Sequence, residues 1–307
     1  MNKEWHEARS KGIGGSDAGA ICGINPWKTP LQVWEDKRGL AGPIDDNPAM
    51  YFGRALEPII RQKYSEDTGR EVLLPTGIIK SEKHDFMLAN LDGITRDNRI
   101  VEIKTSARRN GWGDPGTDSI PLHYLFQCFH YMIVTGFKVT DVPVLIGGND
   151  FRIYEVNSDP ELEEIIIQRE RDFWEMVLKG TPPAPVNYAD VQRLYRRSEA
   201  KQITATEEIE KAVVFLNMVR SDMKMLEERE EETKKNIMDF MKEADELTDL
   251  TGRAIATWRS AKAVKRLDTK ALRQQMPEIY NQFLTEGEPS RRFLLKGGEK
   301  NGKPSAL

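Results

Sequence analysis

The stretch 86–106, FMLANLDGITRDNRIVEIKTS, constrains the fold more than any other part of the chain. An apolar run ends in Asp92-Gly93, a polar turn follows, and a second apolar run carries Glu102-Ile103-Lys104. Successive strand side chains alternate faces, so Glu102 and Lys104 project to one side while Ile103 points into the core. A reversal over Thr95 to Asn98 centres a hairpin near Asp97 and sets Asp92 opposite Glu102, on the same face. Two carboxylates and an ammonium then converge. Carboxylate oxygens are hard ligands suited to Mg²⁺ or Mn²⁺. A lysine beside them can orient an attacking water and offset charge on phosphate oxygens. The pattern points to metal-dependent phosphodiester hydrolysis. The bland alternative is a solvated charge pair on an exposed strand. Ile100, Val101 and Ile103 make the strand at least half buried, and a charged pair there needs a reason.

The 307 residues suffice for one catalytic domain of about 200 residues plus an appendage. No apolar run approaches the ~18 residues of a membrane span, and MNKEWHEARSKG lacks the apolar stretch of a secretory signal. Cys22 and Cys128 fit a reducing cytoplasm; two cysteines hold no iron–sulfur cluster, and four scattered histidines argue against a zinc site. The net charge of −4 speaks against DNA only if charge is taken as uniform. Residues 204–250 are strongly acidic, whereas residues 251–307 carry 12 basic against 5 acidic side chains. A polyanion responds to local potential, within a Debye length of ~8–10 Å. That basic segment either touches DNA or is a solvated tail.

Periodicity and punctuation predict helices over 29–39, 50–69, 120–136 and 159–179. Strands are expected near 71–80, 85–92, 99–105, 140–147 and 151–156, which gives an α/β layer plan around a central mixed sheet. TPPAPV at 181–186 marks a boundary, so 1–190 is read as one domain and 191–307 as a helical and basic region. From 204 to 247 apolar residues follow a heptad seam: Ile209, Leu216, Met223, Ile237 and Ala244, partnered by Ala212, Val219, Leu226, Phe240 and Leu247. The run EEREEE at 227–232 interrupts it, as a hairpin bend or an unpaired stretch. AIATWRS, after Gly252, alternates as a strand does, and 268–284 reads as a short helix.

Other motifs gather around the hairpin. Gly12-Ile13-Gly14-Gly15-Ser16-Asp17-Ala18 is a flexible loop before a helix start, able to bind an anion or simply to cap the helix through Ser16. Arg9 lies just upstream and can bond a phosphate. The Gly-Lys-Ser/Thr ending of a Walker loop is missing. Glu57, before Pro58 in an apolar helix, is either a metal-seeking carboxylate or a surface side chain. Gln127 and Tyr131 are four apart on an aromatic helix and share a face; Phe126 and Met132 read as core, and His123 and His130 as neutral.

These motifs, in this order, resemble the YqaJ-like viral recombinase family, similar to the lambda-type phage exonucleases of the PD-(D/E)XK nuclease superfamily. The resemblance covers roughly 5–190. It rests on Asp92 with Glu102-Ile103-Lys104, on Glu57, on Gln127 in QCFHYMIVTG, and on GIGGSDA followed by NPWKTPLQVW. The residue before Asp92 is Leu91, not proline. The resemblance implies a restriction-endonuclease-like core with a C-terminal helical, coiled-coil-like appendage. It also implies a Mg²⁺-dependent 5′→3′ exonuclease on double-stranded DNA, making 3′ single strands for homologous recombination by strand annealing. Asp92, Glu102 and the Ile103 carbonyl are then expected to hold metal. Two ions are expected, with Glu57 serving the second or acting through a water, and Mn²⁺ is an alternative ion. Lys104 is expected to orient the water, Gln127 to hold Lys104 or the water, and Arg9 with Ser16 to anchor the 5′-phosphate. Partners implied are DNA ends, a single-strand annealing protein and further copies of the chain in a trimeric ring. The setting implied is the cytoplasm of a bacterial host, with a phage or prophage origin. A metal-dependent endonuclease of the same fold and a non-catalytic DNA-binding protein remain the other readings.

Overall fold

The computed structural model describes residues 10–42, 46–287 and 290–296. The chain forms two compact units divided after Leu194. In the first, strand β1 (Ile13–Gly14) leads into helix α1 (Gly15–Ile21), followed by α2 (Pro30–Lys37) and α3 (Pro48–Thr68). Six short strands come next: β2 (Val72–Leu73), β3 (Ile79–Lys80), β4 (Met87–Ala89), β5 (Gly93–Thr95), β6 (Arg99–Val101) and β7 (Lys104–Ser106). Helix α4 (Leu122–Thr135), long strands β8 (Val139–Ile146) and β9 (Asp150–Asn157), and helices α5 (Pro160–Lys179) and α6 (Tyr188–Leu194) complete it.

Local chemistry sets these limits. Thr29 caps α2 in a reciprocal box with Gln32, with Pro30 at its first position. Asn47 caps α3 and Asp159 caps α5. Gly69, Gly136 and Gly180 end α3, α4 and α5 in the left-handed conformation.

The large sheet runs β2-β5-β6-β8-β7, with β9 on β8. β2, β5 and β6 are antiparallel, and β6 then pairs parallel to β8. Helix, three antiparallel strands, helix, parallel strand is the restriction-endonuclease-like plan, a mixed sheet flanked by helices. β8 is central: β6 and β7 run end to end along one edge and β9 along the other. The two faces carry separate cores. Ile100, Val142 and Val144 pack with Cys128 and Met132 of α4 and with Ile166 and Phe173 of α5. Val101 and Ile103 pack with Ile60 and Tyr64 of α3. Alternation therefore puts Glu102 and Lys104 on the α4 side, where both bond Gln127.

Three strand expectations need correction. The stretch expected as one strand at 71–80 divides into β2 and β3, which join different sheets, since β3 pairs β4 in the small sheet β1-β4-β3. The stretch 85–92 likewise supplies only β4, and Asp92 lies at the corner where the chain crosses to the large sheet. The stretch 99–105 opens at Glu102-Ile103, although the register to β8 is unchanged from Val101↔Asp141 to Lys104↔Val144. Period-2 alternation reports faces, not which sheet a residue joins.

The second unit contains α7 (Glu207–Met241), the hairpin of β10 (Glu246–Thr248) and β11 (Ala254–Thr257), and helices α8 (Thr269–Gln275) and α9 (Pro277–Gln282). The 35-residue α7 runs unbroken through 227–232, so no bend occurs at the acidic run. Within it, Lys224 pairs with Glu228 and Lys234 with Glu230, relieving part of the repulsion a bend would have avoided. The seam residues Ile209, Met223, Leu226 and Phe240 are exposed, while Ala244 and Leu247 fall beyond the helix. Among the described residues, no helix is long and apolar enough to cross a membrane. Both cysteines are free.

Candidate active site

The hairpin that builds the site turns where the sequence placed it. Asn98, in the left-handed region at φ 58°, donates its N–H to the Thr95 carbonyl at 3.1 Å. The register pairs Gly93 with Val101 and Ile94 with Ile100, which carries Asp92 to the level of Glu102. There the strand opens, and the Ile103 N–H, freed from the ladder, donates to Asp92 Oδ2 at 2.8 Å.

Glu102 is only 2% exposed. Its Oε1 accepts from Lys104 Nζ at 2.6 Å and from Gln127 Nε2 at 2.7 Å. Its Oε2 is buried and has no partner among the described residues. Gln127 Oε1 accepts from Lys104 Nζ at 3.1 Å, and the Gln127 amide also donates to Tyr131 Oη at 3.0 Å. Tyr131 donates in turn to the Asn90 carbonyl at 3.0 Å. The Lys104 ammonium lies 4.6 Å from the centre of the Tyr124 ring.

The electrostatics show a shortage of positive charge. Burial, reinforced by the charge of Asp92, pushes the Glu102 carboxyl up to about 8. Burial raises Asp92 despite Lys104 and the Ile103 amide, and raises Glu57, to which Asp92 adds repulsion. Burial works against the Lys104 charge, but Glu102 and Asp92 outweigh it and its pKa is raised. Two cations, Lys104 and Arg61, face three carboxyl groups, and only Lys104 bonds Glu102. A divalent cation would supply what is missing, and an unpartnered buried Glu102 oxygen is the kind of hard donor it takes. Among the described residues no three acidic, His or Cys side chains group as a complete cage. Mg²⁺ needs none, since it binds through one or two carboxylates and keeps several waters. The residues fit such an ion at Asp92 and Glu102, with the Ile103 carbonyl at the strand opening. Glu57 is turned to Arg61, with which it forms an ion pair, and Arg61 Nε donates to the Asp92 carbonyl at 3.3 Å.

Ser16 is exposed in the first turn of α1, two residues past the cap at Gly14, so it does not cap the helix. It lines a cleft of about 190 Å³ together with Asn90, Asp92, Glu102, Gln127 and Tyr131. Two glycines within α1 bring it onto α4. A Cβ on Gly15 would stand 2.4 Å from the Tyr131 ring, and one on Gly19 would stand 3.0 Å from His123 Cα. Arg9 lies outside the described residues.

Several groups around the site carry no local sequence signal. Asp17 is buried in a pair with Lys37 at 2.7 Å and accepts from the Gly14 amide. His130 is buried and bonded to Glu170 at 2.8 Å and to the Leu88 carbonyl. Behind the sheet, Asp141 accepts from Tyr64 and from both arms of Arg99. Spatial pairs between distant positions leave no spacing to read. Tyr124 was within reach of sequence reasoning, because it lies three residues before Gln127 on the same helix face.

A mixed sheet opened at an acidic corner, with a lysine and a glutamine behind the carboxylates, defines the class of restriction-endonuclease-like α/β proteins. A model of the YqaJ-like viral recombinase domain matches residues 4–138. The YqaJ protein of Bacillus subtilis (strain 168) is 33% identical over 306 residues, covering 95% of this chain and 93% of that protein. The chain belongs to the YqaJ-like viral recombinase family. Among solved structures, the alkaline exonuclease of Laribacter hongkongensis is similar at 22% identity and a TM-score of 0.49, over 59% of this chain and 94% of that one. An exonuclease structure from Eubacterium rectale is similar at 15% identity and a TM-score of 0.47, over 66% and 96%.

Proposed function

We propose that this recombinase-family chain is a Mg²⁺-dependent deoxyribonuclease that degrades double-stranded DNA 5′→3′ and leaves 3′ single strands for annealing. The observation that carries the reading is the cation-poor cluster of Asp92, Glu102 and Lys104, with a buried Glu102 oxygen left unpartnered beside an open cleft.

Asp92, Glu102 and the Ile103 carbonyl would hold Mg²⁺, or Mn²⁺ in its place. A second ion would draw on Glu57, whose Oε1 is paired with Arg61. Bound there, a divalent ion would supply Lewis-acid stabilisation of charge on the phosphate oxygens and acidify the attacking water. Lys104 orients the attacking water and is itself held by Gln127. The Tyr131 hydroxyl fixes Gln127, so the lysine arrives pre-positioned. Ser16, at the mouth of the cleft, and Arg9 anchor the terminal 5′-phosphate and so set polarity. A homotrimeric ring around DNA would make the enzyme processive, and a single-strand annealing protein would take its product. The first unit is the nuclease domain in this reading. The second, with its acidic α7 and basic 251–307, serves assembly, partner docking or DNA contact.

The test is digestion of a linear duplex labelled at one end, with and without Mg²⁺. It compares 5′-phosphorylated with 5′-hydroxyl ends and includes a closed circle. Metal-dependent loss from the phosphorylated end, with the circle intact, supports the exonuclease and its anchor. Cleavage of the circle replaces it with an endonuclease. No product with or without Mg²⁺ leaves a non-catalytic DNA-binding protein.

A further inference from the structure

The most exposed aromatic side chain of the first unit's α1–α2 connection is Trp27, at 70% exposure. Its position is built, not slack. Asn25 Oδ1 accepts from the backbone N–H groups of Trp27 and Lys28, at 2.8 and 3.1 Å, and Pro26 fixes the backbone between them. This turn presents the indole outward while its ring stays in edge contact with His123, 4.7 Å between centres at 84°. His123 lies 4.1 Å from Tyr124, and the Tyr124 ring is the one under the Lys104 ammonium. Gly19 lets α1 approach the His123 backbone closely enough for this contact. Burial and the nearby Lys104 press the His123 pKa down to about 4, so the middle ring is uncharged at neutral pH.

Aromatic contacts thus run from the lysine of the candidate site through Tyr124 and His123 to an exposed indole. On its far side Trp27 borders a pocket of about 340 Å³ lined also by Asn25, Gln32, Asn187 and Arg193. Thr29 and Asp190 also line it, joined by Thr29 Oγ1 donating to Asp190 Oδ1 at 2.9 Å. Amide and guanidinium groups around a flat apolar ring suit a nucleobase, which offers a π-face and a polar edge.

We propose that Trp27 is a base-stacking shelf for the unpaired nucleotides of a DNA end lying beside the Lys104 site. The inference rests on the reading of the chain as acting on DNA ends, and it adds a residue that holds single-stranded DNA without taking part in hydrolysis. Stacking on one aromatic ring tightens single-strand binding by roughly five- to a hundredfold.

The experiment measures binding of the full chain, in EDTA so that nothing is cut, to a fluorescent blunt duplex and to the same duplex with about five unpaired thymidines at one end. Wild type should bind the tailed duplex more tightly. Trp27→Ala should lose that advantage while binding the blunt duplex as before, and Trp27→Phe should keep most of it. Equal thermal midpoints for the three proteins exclude a folding effect. A tail advantage undiminished in Trp27→Ala overturns the shelf, as does equal binding of both duplexes by wild type. A changed assembly mass by light scattering in Trp27→Ala with the tail advantage intact also overturns it and makes Trp27 a contact between copies. The DNA-end reading is checked separately by Mg²⁺-dependent digestion with wild type, which can fail while the shelf survives in the binding data, or succeed while the shelf falls.

Discussion

Replacing Gly15 with alanine should both destabilise the first unit and slow the reaction, through one aromatic ring. The added Cβ would lie 2.4, 2.8 and 2.9 Å from Tyr131 Cε1, Cζ and Cδ1. Carbon atoms settle at ~3.5–4.0 Å, so the ring or α1 must retreat by about 1 Å. The ring is not free to do so, because its hydroxyl bonds both Gln127 and the Asn90 carbonyl. Overpacking of this kind costs about 1–3 kcal/mol. Alanine's better helix propensity recovers little at the first position of a seven-residue helix. At ~2–4 °C per kcal/mol, the thermal midpoint should fall by about 2–12 °C. A Tyr131 shift carries Gln127 with it, and a misplacement of about 1 Å near a reacting group costs up to about 10² in rate. Urea unfolding of Gly15→Ala, Tyr131→Ala and the double variant isolates the contact. With the ring gone, the same methyl enters empty space, so Gly15→Ala should become neutral or mildly stabilising, and the two substitutions should couple by ~1–3 kcal/mol. Equal destabilisation by Gly15→Ala in both backgrounds would refute the packing argument. Full activity in Gly15→Ala would break the link from Tyr131 to the lysine.

Lys104→Ala should lower turnover by about 10²–10³ or more while DNA binding measured in EDTA persists; unchanged turnover would remove the lysine from the reaction. Tyr64→Phe deletes a donor to the buried Asp141 carboxylate, which keeps both arms of Arg99, and should cost ~1.5–3 kcal/mol in urea unfolding with no change in metal response. The buried His130 feels burial pulling its pKa down, but the Glu170 carboxylate and the Leu88 carbonyl prevail and hold it above the usual 6.5. A raised histidine stabilises the fold fully below about pH 6.5, and that contribution is lost as pH rises through the folded value. Thermal midpoints of wild type should therefore lose ground above pH ~6.5 relative to Glu170→Gln, and parallel pH profiles for the two would exclude the pair as the cause.

How much of this was legible in the sequence follows from the range of each interaction. The turn at Thr95–Asn98 and the facing of Glu102 and Lys104 are local, set by period-2 alternation and a left-handed asparagine, and the structure has both. Gln127 with Tyr131 is a single helical turn and was equally readable. Alternation cannot reveal that 85–92 leaves one sheet and enters another, because either sheet buries the same face; yet that crossing places Asp92 at a corner with the Ile103 amide on its carboxylate. Of the two readings of the acidic run in α7, the bend fails and the unpaired stretch stands: like charges on an exposed helix repel weakly, and neighbouring Lys–Glu pairs offset them, so the helix continues through it. The pairs Asp17–Lys37 and His130–Glu170 join positions 20 or more apart, and no period records them. They nonetheless brace α1 and α4, the helices that carry Ser16, Gln127 and Tyr131 to the opened strand. The short motif therefore supplies the reactive groups, while their alignment rests on buried polar pairs and two close glycine contacts outside it. A variant that keeps Asp92, Glu102 and Lys104 but disturbs those contacts should keep the motif and lose the geometry, which is why Gly15, which borders the cleft but carries no reactive group, is the sharper probe of how the site works.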